Sequence, residues 1–97
     1  MMEEQTQKAL QERQWIVVKD VTLMPQKVPV VELWKQYANG VAIALSIQCE
    51  GDQFVLYQDV GHVAGTNRTN CGTFSTANAA IHQLIEASYS WDDTWGM

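Results

Sequence analysis

Residues 41–48 set the tightest limit on what this chain can become. Val41, Ile43, Leu45 and Ile47 alternate with Ala42, Ala44, Ser46 and Gln48. A period of two puts the large aliphatic side chains on one face and small or polar ones on the other. Such a segment is a strand with one face committed to a core. Its flanks supply antiparallel neighbours. Asn39-Gly40 directly before it is a strong hairpin signal. Glu50-Gly51-Asp52 directly after it reads as a turn. Residues 54–58 then return as a second strand, with Phe54 and Leu56 on one face and Val55 and Tyr57 on the other.

A sheet with one apolar face needs a cover, and residues 76–89 provide it. Ala77, Ala80, Ile81, Leu84, Ile85 and Ser88 fall on one helical stripe, and Ser75 or Thr76 is placed to cap its start. Steps of four and three from Leu84 reach Ser88, Trp91 and Trp95, so either the helix runs on or the tail folds back under the same face. Upstream, residues 15–23 are rich in β-branched side chains and read as a strand, stopped by Pro25. Trp15, Val17, Val21 and Leu23 share one face, interrupted by Lys19.

Residues 28–38 fit two templates. Val30, Leu33, Trp34 and Tyr37 have helical spacing, with Pro29 suited to the first turn and Asn39-Gly40 to the end. The same Asn39-Gly40 pair also closes a hairpin onto the strand that follows, and the strand reading is preferred. Residues 2–14 read as a polar helix with Glu3 and Glu4 in its first turn, Arg13 in its last and a Glu4–Lys8 pair. Residues 59–73 are rich in Gly, Thr and Asn and read as a loop crossed by a short strand near 61–64, with a short final strand at 71–74. The expected architecture is α+β: three to four antiparallel strands packed against a C-terminal helix. The expected organisation is a polar N-terminal helix or arm over 1–14, then a single domain over 15–97.

Size and charge narrow the function classes. Ninety-seven residues make one small domain. A 10.9 kDa chain is expected to expose about 5,600 Å² when folded, burying roughly 65% of its extended surface. That supports a modest core without metal or disulfide staples. Eleven acids against six basic residues leave a net charge of −5. The basic residues are scattered, which argues against direct nucleic-acid binding, since phosphate contacts need clustered Lys and Arg. No apolar run approaches the ~18 residues of a membrane span. The acidic start, Met1-Met2-Glu3-Glu4, does not resemble a secretory or transit signal, so a cytoplasmic location is expected.

Cys49 and Cys71 read as free thiols in a reducing compartment. With His62 and His82 they could supply four metal-binding atoms, but no two of these have the close spacing of a zinc site, so no metal is expected. The 59–73 segment lacks the Gly-Lys pair of a phosphate-binding loop. Its His62, Asn67, Arg68 and Asn70 are the candidates for a small ligand or anion. Neither a nucleophile with its base nor a buried carboxylate pair is marked out by spacing. No catalytic residue and no cofactor are expected.

The remaining unusual feature is the tail, where Trp91, Asp92, Asp93 and Trp95 interleave aromatic and acidic side chains. With Glu50 and Asp52 of the turn they form the candidate partner-binding set. Tryptophan is enriched among interface hot spots, and exposed acids suit a basic partner face. The alternative is that Trp91 and Trp95 seal the domain's own core. The function expected from these features is a small, non-enzymatic protein-binding module. It would act as an inhibitor occupying a basic, nucleic-acid-binding surface of a partner complex. In broad composition it is similar to small phage and mobile-element proteins that block host defence, a likeness of class and not of motif. Two alternatives stand beside it: a small enzyme or ligand-binding domain using the 59–73 segment, and a homo-oligomeric subunit, for instance a homodimer.

Overall fold

The computed structural model describes residues 3–20, 31–62 and 65–95. In chain order it contains helix α1 (Glu4–Glu12), strands β1 (Ile16–Asp20), β2 (Val31–Gln36), β3 (Ala42–Glu50), β4 (Gln53–His62) and β5 (Gly65–Phe74), and helix α2 (Ala77–Trp95). The five strands form one antiparallel meander in the order β1-β2-β3-β4-β5. The α+β class is the one the sequence implies, with one strand more than its upper expectation. The chain exposes 5836 Å², close to the value expected from its mass.

The alternation in β3 decides which face is covered. Ile43, Leu45 and Ile47 are fully buried, together with Val31 and Leu33 of β2 and Leu56 of β4. Against this face α2 lays Ala80, Leu84 and Ser88, all with no exposed surface. The 28–38 ambiguity resolves as a strand because Val31 and Leu33 fill that same core face, in register with Ile47 and Leu45. Val21, Thr22, Leu23, Pro25 and residues 28–30 lie outside the described residues.

Two hairpins hold the register. Gly40, at φ +90°, closes a loop in which the Val41 N–H donates to the Asn39 side chain at 3.0 Å and Tyr37 N–H to Val41 O at 2.9 Å. Gly51, at φ +67°, turns β3 into β4, with Glu50 opposite Gln53. Both glycines occupy backbone conformations that a Cβ disfavours.

Helix α1 ends in a Schellman motif. Trp15 N–H donates to Leu10 O and Gln14 N–H to Gln11 O, both at 2.9 Å. The motif requires a left-handed residue, and Gln14 supplies it at φ 71°. Leu10 and Trp15, the two apolar residues that flank the motif, are both 1% exposed. The helix is therefore docked into the core by its own stop signal. At α2, Thr76 Oγ1 accepts from Ala79 N–H at 3.2 Å, the expected cap.

Candidate functional site

Helix α2 runs without a break through the tail to Trp95, so helical geometry sorts the tail side chains into two sets. Steps of four from Leu84 lead to Ser88 and then Asp92, on the face that meets the sheet and α1. Asp92 accepts from Lys35 Nζ at 2.7 Å, Tyr37 OH at 2.9 Å and Trp15 Nε1 at 3.2 Å, and is ion-paired with Arg13. Arg13 also donates to Ser88 Oγ at 2.9 Å and lies 3.8 Å over the Tyr89 ring. Lys35 donates further to Arg13 O at 2.6 Å. One carboxylate thus ties the end of α1, the end of β2 and the last turns of α2.

The electrostatics follow from the partners. Burial alone would raise the Asp92 pKa, but the hydrogen bonds from Lys35, Tyr37 and Trp15 outweigh it and hold the carboxyl below its ordinary range. Burial first, then the hydrogen bond and charge of Asp92, push the Tyr37 phenol above its ordinary value.

The second set faces outward. Asp93 is exposed and Trp95 is 43% exposed. Trp95 stacks on Trp91 with ring centroids 6.2 Å apart and planes 10° from parallel. Trp91 itself leans on the core and donates from Nε1 to Gln58 Oε1 at 2.7 Å. Of the expected partner-binding tail, Asp92 serves the interior, Trp91 bridges, and Asp93 and Trp95 are presented to solvent. Glu86, two turns before Asp93, is exposed on the same stripe. Glu50 and Asp52 are exposed at the β3–β4 turn, where Glu50 accepts from Tyr57 OH at 2.7 Å.

Residues 59–73 are not a loop. Asp59 to His62 complete β4, and all residues from Gly65 to Thr73 belong to β5, paired with β4 at every position except Cys71. Val63 and Ala64 lie outside the described residues. Polar side chains form a strand here because the well-anchored β4 supplies the ladder. Arg68 is held by Asp59 directly across the ladder, Nε to Oδ1 at 2.8 Å and Nη2 to Oδ2 at 3.0 Å, so its fork is already occupied. Asn70 Oδ1 accepts from Gly72 N–H at 2.8 Å and supports an irregularity where Cys71 has no partner in the ladder. Asn67 is exposed on the same edge strand, and His62 ends β4. Cys49 and Cys71 are free thiols. Burial raises the Cys71 pKa, which keeps it a weak nucleophile at neutral pH.

A groove of about 500 Å³ opens between α2 and the sheet beside this edge. Leu56, Gln58 and Cys71 form its floor, and Glu86, Trp91 and Thr94 stand along its helical wall. Among the described residues no group of three or more His, Cys, Asp or Glu is placed to hold a metal ion. No described helix is long and apolar enough to cross a membrane. The anchoring roles of Arg13, Lys35 and Tyr37 and the exposed Glu86 had no distinctive sequence pattern. The one available signal was the pair of four-residue steps from Leu84 through Ser88 to Asp92. Comparison of the chain with protein-family models, with curated proteins and with solved structures finds no match.

Proposed function

We propose that this protein is a non-enzymatic binding module that lays the acidic, aromatic end of α2 against a basic surface of a partner protein. The supporting observation is how the charges are distributed. Of the four basic side chains described, Arg13, Lys35 and Arg68 are spent in ion pairs within the fold. Glu86 and Asp93 remain exposed on one stripe of α2, and Trp95 is 43% exposed at its end. An interface built this way takes orientation and association rate from the acids and affinity from the aromatic anchor. In its sharpest form the reading is an inhibitor, of the kind encoded by phages or mobile elements, that covers a nucleic-acid-binding groove by meeting the same lysines and arginines.

The test uses Glu86→Lys, Asp93→Lys and Trp95→Ala together, with Asp92 left intact. Immobilised wild type should retain a basic partner at low salt and release it as ionic strength rises. The triple variant, melting at the wild-type temperature, should not retain it. Equal retention by both proteins would remove the end of α2 from the reading.

A further inference from the structure

The groove between α2 and β5 lies beside the one long strand edge that the described fold leaves open. Among the described residues β5 is the last strand of the sheet and is hydrogen-bonded only to β4. From Gly65 to Asn70 its pairing is regular, and the irregularity at Cys71 comes only after that. Natural edges are usually blunted by Lys, Pro or an inward charge. This segment, Gly-Thr-Asn-Arg-Thr-Asn, has no Lys or Pro, and its Arg68 is held against Asp59. A row of backbone donors and acceptors is therefore open to a further strand.

The groove accounts for side-chain selection. It is an open groove of about 500 Å³, with room for a side chain of a docked segment. Its floor offers the half-buried Cys71 beside Gln58, and Trp91 adds an aromatic wall whose indole N–H is already satisfied by Gln58. Glu86 stands at the exposed rim with no ion-pair partner among the described residues. A strand added to β5 would direct alternate side chains toward this groove. An apolar side chain fits the floor and a cationic one fits the rim.

We infer that β5 and the α2 groove together receive an extended segment of the basic partner, in which apolar and cationic side chains alternate. This rests on the acidic-module reading above and adds to it the mode of docking. The binding energy comes from main-chain hydrogen bonds to residues 65–70 and from one apolar side chain against Cys71 and Trp91. Glu86 selects for positive charge.

The experiment titrates the full-length, isotope-labelled protein with a blocked hexapeptide of alternating lysine and valine. Two controls are the peptide with glutamate for lysine and the peptide N-methylated at alternate residues. Saturable shifts are expected at the amides of residues 66–70 and at the Trp91 indole N–H. The lysine peptide should slow alkylation of Cys71 while Cys49 reacts at its free rate. Glu86→Lys should weaken binding about threefold, the size of one exposed ion pair. The N-methylated peptide should not bind, and the glutamate peptide should bind more weakly than the lysine peptide. Shifts confined to Glu86 and Asp93 with Cys71 unprotected, equal binding of the N-methylated peptide, or no binding of the lysine peptide would each overturn strand addition. The acidic-surface reading is judged separately by the salt-dependent capture, which does not depend on the groove.

Discussion

Asp92 shows how far one residue's role can depart from its appearance in the sequence. Next to Asp93 and between two tryptophans it looks like part of an acidic surface. In the fold its carboxylate is mostly buried and meets Arg13, Lys35, Tyr37 and Trp15. Adjacent helix positions differ by about 100° in direction, so two neighbouring acids reach opposite environments. Asp92→Asn keeps the shape and removes the charge, leaving two cations without their counter-ion. Complete burial would make such a loss cost about 3–5 kcal/mol. The 17% exposure of this side chain lowers the expectation to about 2–3 kcal/mol, read from the shift in denaturant midpoint. Asp93→Asn should leave the midpoint in place. Gln14 gives the opposite case. It holds φ 71° without being glycine, and a left-handed conformation costs an ordinary residue about 1 kcal/mol. Gln14→Gly should therefore raise stability, by somewhat less than that because glycine gains unfolded-state entropy. A loss of stability would mean that the Gln14 side chain contributes contacts of its own.

Elements differed in legibility according to where their stabilisation comes from. β3 and α2 bury their own apolar stripes, so periodicity alone locates them. β5 has little to bury. It exists because β4 is anchored by Leu56 and offers a full ladder, information held in a different segment. The choice between strand and helix for 28–38 likewise turned on a partner, the core face of β3. Gly72 shows what the polar strand demands locally. It sits at φ +141° opposite Leu56, and a Cβ there would meet the Phe74 ring at 3.0 Å. Gly72→Ala must either rotate that ring or relax the backbone, at an expected cost of about 1–2 kcal/mol. Amide exchange should show the loss concentrated in β5 and the facing half of β4. Uniform acceleration across the sheet would mean that β5 is not a separable element.

At the scale of the whole molecule, the α+β layering was legible because one strand and one helix each bury a periodic apolar stripe of their own. What binds the layers at their C-terminal end was not, because it is a set of polar contacts spread from Arg13 to Asp92. That set gives the fold a pH window. The Asp92 carboxyl is held below its ordinary value in the folded state, so the unfolded chain takes up its proton first as pH falls. Its contribution is complete above about pH 4, the unfolded value, and is lost as pH drops further. The Tyr37 phenol is raised in the folded state, so the unfolded chain loses its proton first as pH rises. Its contribution is complete below about pH 10 and declines above that. Both groups touch the same junction of α1, β2 and α2, so the two losses should unfold the molecule as one unit. Thermal melts from pH 2 to 11 should show a plateau between these limits. In Asp92→Asn the acid limb should flatten, and the alkaline limb should start at the same pH but be shallower, since the charge that opposes Tyr37 ionisation in the folded state is gone. An acid limb unchanged by that substitution would place the acid-sensitive group elsewhere.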